Sequence, residues 1–211
     1  MPLRIAFDID GVLADLDREL ARRARALFGT ASTGQTRSQQ RQLWTHIEAH
    51  CNFWETLEET EPGMVRRLAE VSRERHWEII FLTRRPPTAG VTAQLQTQRW
   101  LAAKGFSLPS VFVVPGSRGR IAAALHLDLV IDDRPENCHD VVIESHARAA
   151  LIWRGDQASL PASARDLGIQ VYESVEQCLN ALSDEGRSGS LAARITTRVR
   201  RLLGLKQRTL A

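Results

Sequence analysis

Residues 3–15 read LRIAFDIDGVLAD, and this stretch decides the fold. Residues 3–7 form a short, mostly apolar run of the kind found in a strand buried on both faces. Two carboxylates, Asp8 and Asp10, follow where that strand should end. Gly11 then lets the chain turn away without placing a side chain beside them.

The same pattern recurs down the chain. Residues 78–82 (EIIFL) are followed by Thr83, and residues 129–131 by Asp132 and Asp133. Residues 111–114, 150–153 and 169–172 read as three further strands. The spacing predicts helices over 15–28, 37–50, 64–75, 92–104, 121–126, 136–146 and 175–182. Strands alternating with helices predict a doubly wound α/β domain with a parallel sheet.

Roughly seventy residues separate the first two strands, too many for a plain crossover. Residues 16–62 are therefore expected to form a small helical cap, inserted after the first strand. Pro62-Gly63 marks the return to the core. The expected core is 1–15 and 63–182. A linker over 183–190 and a basic amphipathic helix over 191–211 follow, with Leu191, Ile195, Val199, Leu202 and Leu203 on one face.

The 211 residues carry 28 Lys plus Arg against 25 Asp plus Glu, a net charge of +3. Seven of the basic residues lie in 187–211, which holds no acid, so residues 1–186 keep 21 basic against 25 acidic. The body is mildly acidic, and a whole-chain basic, nucleic-acid-binding reading fails. Cys51, Cys138 and Cys178 are too scattered for a disulfide framework or a paired-cysteine zinc site. The N-terminus does not read as a signal peptide, and no apolar run reaches about 18 residues. A reducing cytoplasm is the expected location.

In an open parallel sheet, strand C-termini surround the ligand crevice. The pattern gathers carboxylates at two strand ends and a hydroxyl at a third. Clustered like charges are costly unless a cation sits among them, and an oxygen-only donor set suits Mg²⁺.

Asp8-Ile-Asp10-Gly11-Val12, Thr83 and Ile131-Asp132-Asp133 resemble, in order and spacing, three motifs of the haloacid dehalogenase-like phosphohydrolases. The resemblance spans about residues 1–182. It implies a Rossmann-like fold, Mg²⁺ and an aspartyl-phosphate intermediate. Asp8 would be the nucleophile, and Asp10 the general acid and then base. Asp8, the Asp10 carbonyl and Asp133 would hold the metal, with Asp132 close by. Thr83 would bind the phosphoryl group, and Arg84 or Arg85 would face the same phosphate or solvent. DGVLAD, Phe53-Trp54, Thr83-Arg84-Arg85-Pro86, Trp100 and Asp132-Asp133-Arg134-Pro135 further resemble the 5′(3′)-deoxyribonucleotidases.

One departure stands out. The family's third motif supplies a lysine, and anchoring on Trp100 puts that position at Thr97. Arg118 and Arg120, in PGSRGR ahead of a helix, are the expected substitutes, since arginine binds phosphate bidentately. Lys104 is a further candidate.

Other features read more simply. His46 and His50 have a zinc-compatible spacing but no carboxylate set beside them, so they are expected to pack the cap. Trp44, Phe53 and Trp54 are expected in its small core rather than stacked on a base. Cys138 is expected to be structural, not a thiol nucleophile. The expected activity is a phosphomonoesterase acting on a small phosphorylated substrate, with a nucleoside monophosphate as one such ester. A phosphatase of nucleic-acid ends that uses the basic tail, and a non-catalytic binding module, are the alternatives. The tail is also compatible with an anionic surface.

Overall fold

The computed structural model describes residues 2–29 and 35–188. The expected tail helix over 191–211 lies outside the described residues. Strands β1 (Arg4–Asp8), β2 (Glu78–Thr83), β3 (Ser110–Val113), β4 (Leu129–Asp132), β5 (Arg148–Ile152) and β6 (Gln170–Tyr172) form one parallel sheet. Its order is β3-β2-β1-β4-β5-β6, the doubly wound arrangement the alternating pattern predicts.

Successive residues of each strand point to opposite faces, and both faces are covered. Ile5, Phe7, Phe81 and Ile131 pack with Val65, Leu68, Trp100 and Leu179 on one side. Ala6, Ile80, Leu82, Val130 and Leu151 pack with Ala122, Cys138 and Val141 on the other. The first side is built by α3 (Met64–Arg75), α4 (Ala93–Ala103) and α8 (Val175–Ser188), the second by α5 (Arg118–Ala124), α6 (Pro135–Glu144) and α7 (Ala162–Asp166).

The stretch after β1 holds α1 (Leu16–Phe28), α2 (Arg37–Glu48) and a 3₁₀ turn at Phe53–Glu55. Asp15 caps α1 by accepting from the Arg18 amide at 3.0 Å, and Thr36 with Gln39 forms a capping box on α2. Its apolar residues Leu43, Ile47, Phe53, Trp54 and Leu57 join the core that holds Phe7 and Ile9. This insert therefore shares the hydrophobic core of the sheet rather than enclosing one of its own.

Two boundaries differ from expectation. Residues 183–188, expected as linker, continue α8. They contain no proline, and Val175, Cys178, Leu179 and Leu182 are already docked, so extending the helix needs no new nucleation. Helix α5 begins at Arg118 rather than at 121, because the Ser117 hydroxyl accepts from the amides of Gly119 and Arg120 and starts the helix a turn earlier. No described helix is long and apolar enough to cross a membrane.

Candidate active site

The sheet order puts β1 between β2 and β4, so the strand connections diverge beside β1 and leave a crevice at the carboxyl ends. Asp8 ends β1, Asp132 ends β4 and Thr83 ends β2. All three are buried, Asp132 completely.

Arg118 joins the two acids. Its Nη2 donates to Asp8 Oδ1 at 2.5 Å, and its Nε lies 3.5 Å from Asp132 Oδ2, an ion-pair contact short of a hydrogen bond. The side chain is only 2% exposed, yet Nε and Nη1 have no hydrogen-bond partner. A buried guanidinium rarely leaves donors idle, and Nη1, which has neither a hydrogen bond nor an ion pair, is the nitrogen open to an anion. Two local features put it there. The early start of α5 places Arg118 in the first helical turn, and Gly119 lets α5 close onto α6. A Cβ at 119 would sit 2.1 Å from the Asp140 carbonyl oxygen.

Asp132 is held by Asn137, whose Nδ2 donates to both carboxylate oxygens at 2.9 Å, and by the Arg134 amide at 2.9 Å. Burial, and then the charge of Asp132, push the Asp8 carboxyl well above the usual carboxylate range, while Arg118 pulls it back. Burial likewise raises Asp132, against the bonds from Asn137 and Arg134.

Asp133 lies against the backbone of Gly11. Gly11 has φ +88°, and a Cβ there would meet Asp133 Oδ2 at 2.0 Å. Asp133 Oδ1 is buried with no hydrogen-bond partner, and burial together with Asp132 pushes this carboxyl up to about 7. An orphaned carboxylate oxygen among acids is what a hard cation would satisfy, and the donors are all oxygen. Among the described residues, however, no group of three or more His, Cys, Asp or Glu side chains is placed to hold a metal ion. Arg118 supplies the positive charge between Asp8 and Asp132. The oxygen donors and the orphaned Asp133 Oδ1 suit a hard cation in kind, without an assembled ligand cluster.

The Asp10 carboxylate points toward β2. Thr83 Oγ1 donates to its Oδ2 at 3.1 Å, and Arg85 grips both oxygens, with Nη2 to Oδ1 at 2.7 Å and Nε to Oδ2 at 3.0 Å. Any role of Asp10 in holding a metal therefore falls to its carbonyl. Thr97, where the family lysine was expected, accepts from Arg85 Nη1 at 2.9 Å.

The other expected phosphate ligands lie elsewhere. Arg84 is exposed and donates to the Gly116 carbonyl at 3.1 Å. Arg120 is exposed and pairs with Glu144 at 3.3 Å. Neighbouring side chains diverge in an extended segment and on a helix, so Arg85 and Arg118 turn inward while Arg84 and Arg120 face water. Lys104 pairs with Glu58 at 3.3 Å.

Two residues, Asn137 and Arg154, carry no signal in the sequence, and a third, Arg85, carries only part of one. Arg85 was half visible in the Thr-Arg-Arg-Pro string, but nothing local said which arginine points in. Asn137 carried no signal of its own. Arg154 follows β5 and donates to the carbonyls of Gly11, at 2.5 Å, and Val12, at 3.3 Å, so it ties down the turn after Asp10. It also pairs with Glu61 at 2.5 Å.

Phe53 and Trp54 are buried in the core, so neither offers a face to a base. His50 meets Phe53 edge-on, with ring centroids 6.3 Å apart. Burial and the nearby carboxylates raise the Cys138 thiol far above its ordinary range, which suits a core residue and not a nucleophile.

No protein-family model and no curated protein matches the chain. Among solved structures, a protein assigned as a β-phosphoglucomutase from Thermotoga maritima superposes with a TM-score of 0.56 at 20% identity, over 86% of this chain and 99% of that one. A hydrolase from Pseudomonas syringae gives 0.53 at 16% identity, over 89% of this chain and 100% of that one. At these identities the likeness speaks for the fold. The chain has a Rossmann-like α/β fold, a six-stranded parallel sheet between two helical layers, as those structures do.

Proposed function

We propose that the chain is a Mg²⁺-dependent phosphomonoester hydrolase that works through an aspartyl-phosphate on Asp8. The observation that carries this reading is Arg118, which is buried against Asp8 and Asp132 with Nη1 unpartnered and Nε short of a hydrogen bond. An arginine so placed binds a phosphoryl oxygen while orienting the carboxylate that attacks it. It stands in for the lysine that the sequence lacks at Thr97.

The substrate phosphate enters beside Asp8, and Arg118 receives its oxygens. An Asp8 oxygen attacks phosphorus and forms an acyl phosphate as the ester P–O bond breaks, and the leaving oxygen takes the proton of Asp10, which enters this step as the carboxylic acid. Water then attacks the acyl phosphate and gives a proton to Asp10, and Asp8 is regenerated. Thr83 can turn its hydroxyl from Asp10 to the phosphoryl group. Mg²⁺, held by Asp8, Asp133 and the Asp10 carbonyl, would offset the charge repulsion between carboxylate and phosphate. A nucleoside monophosphate is the finer substrate reading, and it rests on the likeness of DGVLAD, TRRP and IDDRP to nucleotidases.

Phosphate release from a panel of sugar phosphates, nucleoside monophosphates and p-nitrophenyl phosphate tests the proposal. Mg²⁺-dependent turnover that EDTA stops is the expected outcome. Continued hydrolysis with Asp8→Asn would end it. One observation favours a second reading, a non-catalytic binding module. Both acids that the chemistry needs are already engaged by arginines. That reading predicts Mg²⁺ binding with no turnover on any ester.

A further inference from the structure

Arg85 is buried between the end of β2 and the insert, with its side chain 0% exposed. Each of its three nitrogens has a partner. Nε and Nη2 take the two oxygens of Asp10, and Nη1 takes Thr97 Oγ1. Its guanidinium carbon lies 4.8 Å from the Trp54 ring centroid and 5.9 Å from that of Trp100. Stacking of this kind holds a planar cation in one orientation.

The stacking partners are themselves fixed across the insert boundary. Trp54, in the insert, donates from its indole to the carbonyl of Pro86, next to Arg85, at 3.0 Å. Its backbone amide donates to Gln96 Oε1 at 3.0 Å. Trp100, on α4, donates to the carbonyl of Leu57, in the insert, at 2.7 Å. The insert is thus bonded to Pro86 beside Arg85, and joined to α4 by bonds that run in both directions.

We infer that Arg85, seated by Trp54 of the insert, is a positioning residue that sets the Asp10 carboxylate for proton transfer. The inference rests on the phosphohydrolase reading. Thr83 alone would hold Asp10 at one oxygen and leave the carboxylate plane free to turn. The two-point fork of Arg85 fixes that plane. Proton transfer needs the donor within hydrogen-bond reach of the reacting oxygen, and small misplacements of such groups are costly in rate. The hydrogen bonds of Arg85 go to Asp10 and Thr97, not to Asp8, so its effect on the reaction passes through Asp10.

The test uses the full chain with Mg²⁺ and p-nitrophenyl phosphate. Arg85→Ala should lower kcat about 100-fold with KM nearly unchanged. Arg85→Lys, which keeps the charge and loses the fork, should recover little of it. Millimolar methylguanidinium should restore part of the kcat of Arg85→Ala. Trp54→Phe, which keeps a ring but loses the bond to Pro86, should give a smaller loss, again in kcat. Thermal melts establish that each variant is folded. A folded Arg85→Ala protein with wild-type kcat, a loss confined to KM, or methylguanidinium that raises Tm without raising kcat would each overturn the role of Arg85. Wild-type kcat in Trp54→Phe would remove Trp54 from it. Should Arg85→Ala fail to fold, a crystal structure of Arg85→Lys decides: an Asp10 carboxylate turned away from Thr83 supports the inference, and an unmoved one overturns it. Asp8→Asn separates the two proposals. Activity that survives Asp8→Asn sinks the phosphohydrolase reading, whereas normal Arg85→Ala activity beside a dead Asp8→Asn sinks this inference alone.

Discussion

Two arginines lie buried at the carboxyl end of the sheet, each on an aspartate of the same strand-end motif. Arg85 is fully satisfied, with all its nitrogens bonded and its face stacked on Trp54. Arg118 is not, since Nε and Nη1 have no hydrogen-bond partner although the side chain is as buried as the core. A satisfied buried cation holds its surroundings in place. An unsatisfied one carries a desolvation cost that a ligand can offset. On the proposed reading, the contrast divides the site into a side that receives an anion, on β1 and β4, and a side that orients a carboxylate, on β2 and the insert.

The largest expected effect lies on the receiving side. Asp8→Asn removes the nucleophile and keeps the shape, so turnover should fall at least about 10⁴-fold. Phosphate release under Mg²⁺ measures it, and an unchanged rate would break the division at its root. Arg118→Ala comes next. It should cost about 10²–10³-fold in kcat, the usual loss for a preorganised charge stabiliser. Unlike Asp8→Asn, it also strips the counter-charge from two buried acids. Breaking a buried pair costs roughly 3–5 kcal/mol, which a thermal melt reads. Mg²⁺ should restore more Tm to this variant than it adds to wild type. Equal Mg²⁺ shifts in the two proteins would mean that the cation does not meet these acids.

Gly11→Ala sharpens the contrast from the backbone side. At φ +88° with Asp133 Oδ2 only 2.0 Å from the added Cβ, the variant must both strain the turn and displace the carboxylate. Strain of about 1–3 kcal/mol is expected, together with a weaker Mg²⁺-induced rise in Tm. A lost stability with an undiminished Mg²⁺ response would take Asp133 out of the metal site.

How much of this was legible in the sequence follows from the same division. The strand ends Asp8, Thr83 and Asp132 could be read directly, because a buried strand announces itself by a short apolar run and its end by the first polar residue. The doubly wound order followed from alternation with helices. The two arginines were harder. Arg84 and Arg85 are adjacent and chemically identical, and the choice between them is made by Thr97, Trp54 and Asp10, far away in sequence. Arg118 and Arg120 differ in the same way, and the choice there depends on Ser117 starting the helix early. Local pattern gives the segment that carries a charge, while tertiary packing decides which side chain turns inward. Residues 183–188 failed for the opposite reason. Their polar, Gly-containing composition reads as a linker, but a docked helix upstream carries them along.

The smallest expected effect comes from the arginine two residues beyond Arg118. Arg120 has a side chain 82% exposed and reaches only Glu144, itself at the surface, at 3.3 Å. Solvent-exposed pairs of this kind contribute little, because water screens the attraction and holding two long side chains together costs entropy. Arg120→Ala should therefore leave kcat, KM and Tm unchanged within error, beside an Arg118→Ala protein that loses both activity and stability. Two arginines on one short helix would then differ in effect by orders of magnitude purely through the direction they face. If Arg120→Ala instead raised KM severalfold, substrate would have to reach the outer face of α5. The receiving side of the pocket would then extend past Arg118 to the surface, and the sharp boundary drawn between its two sides would fail.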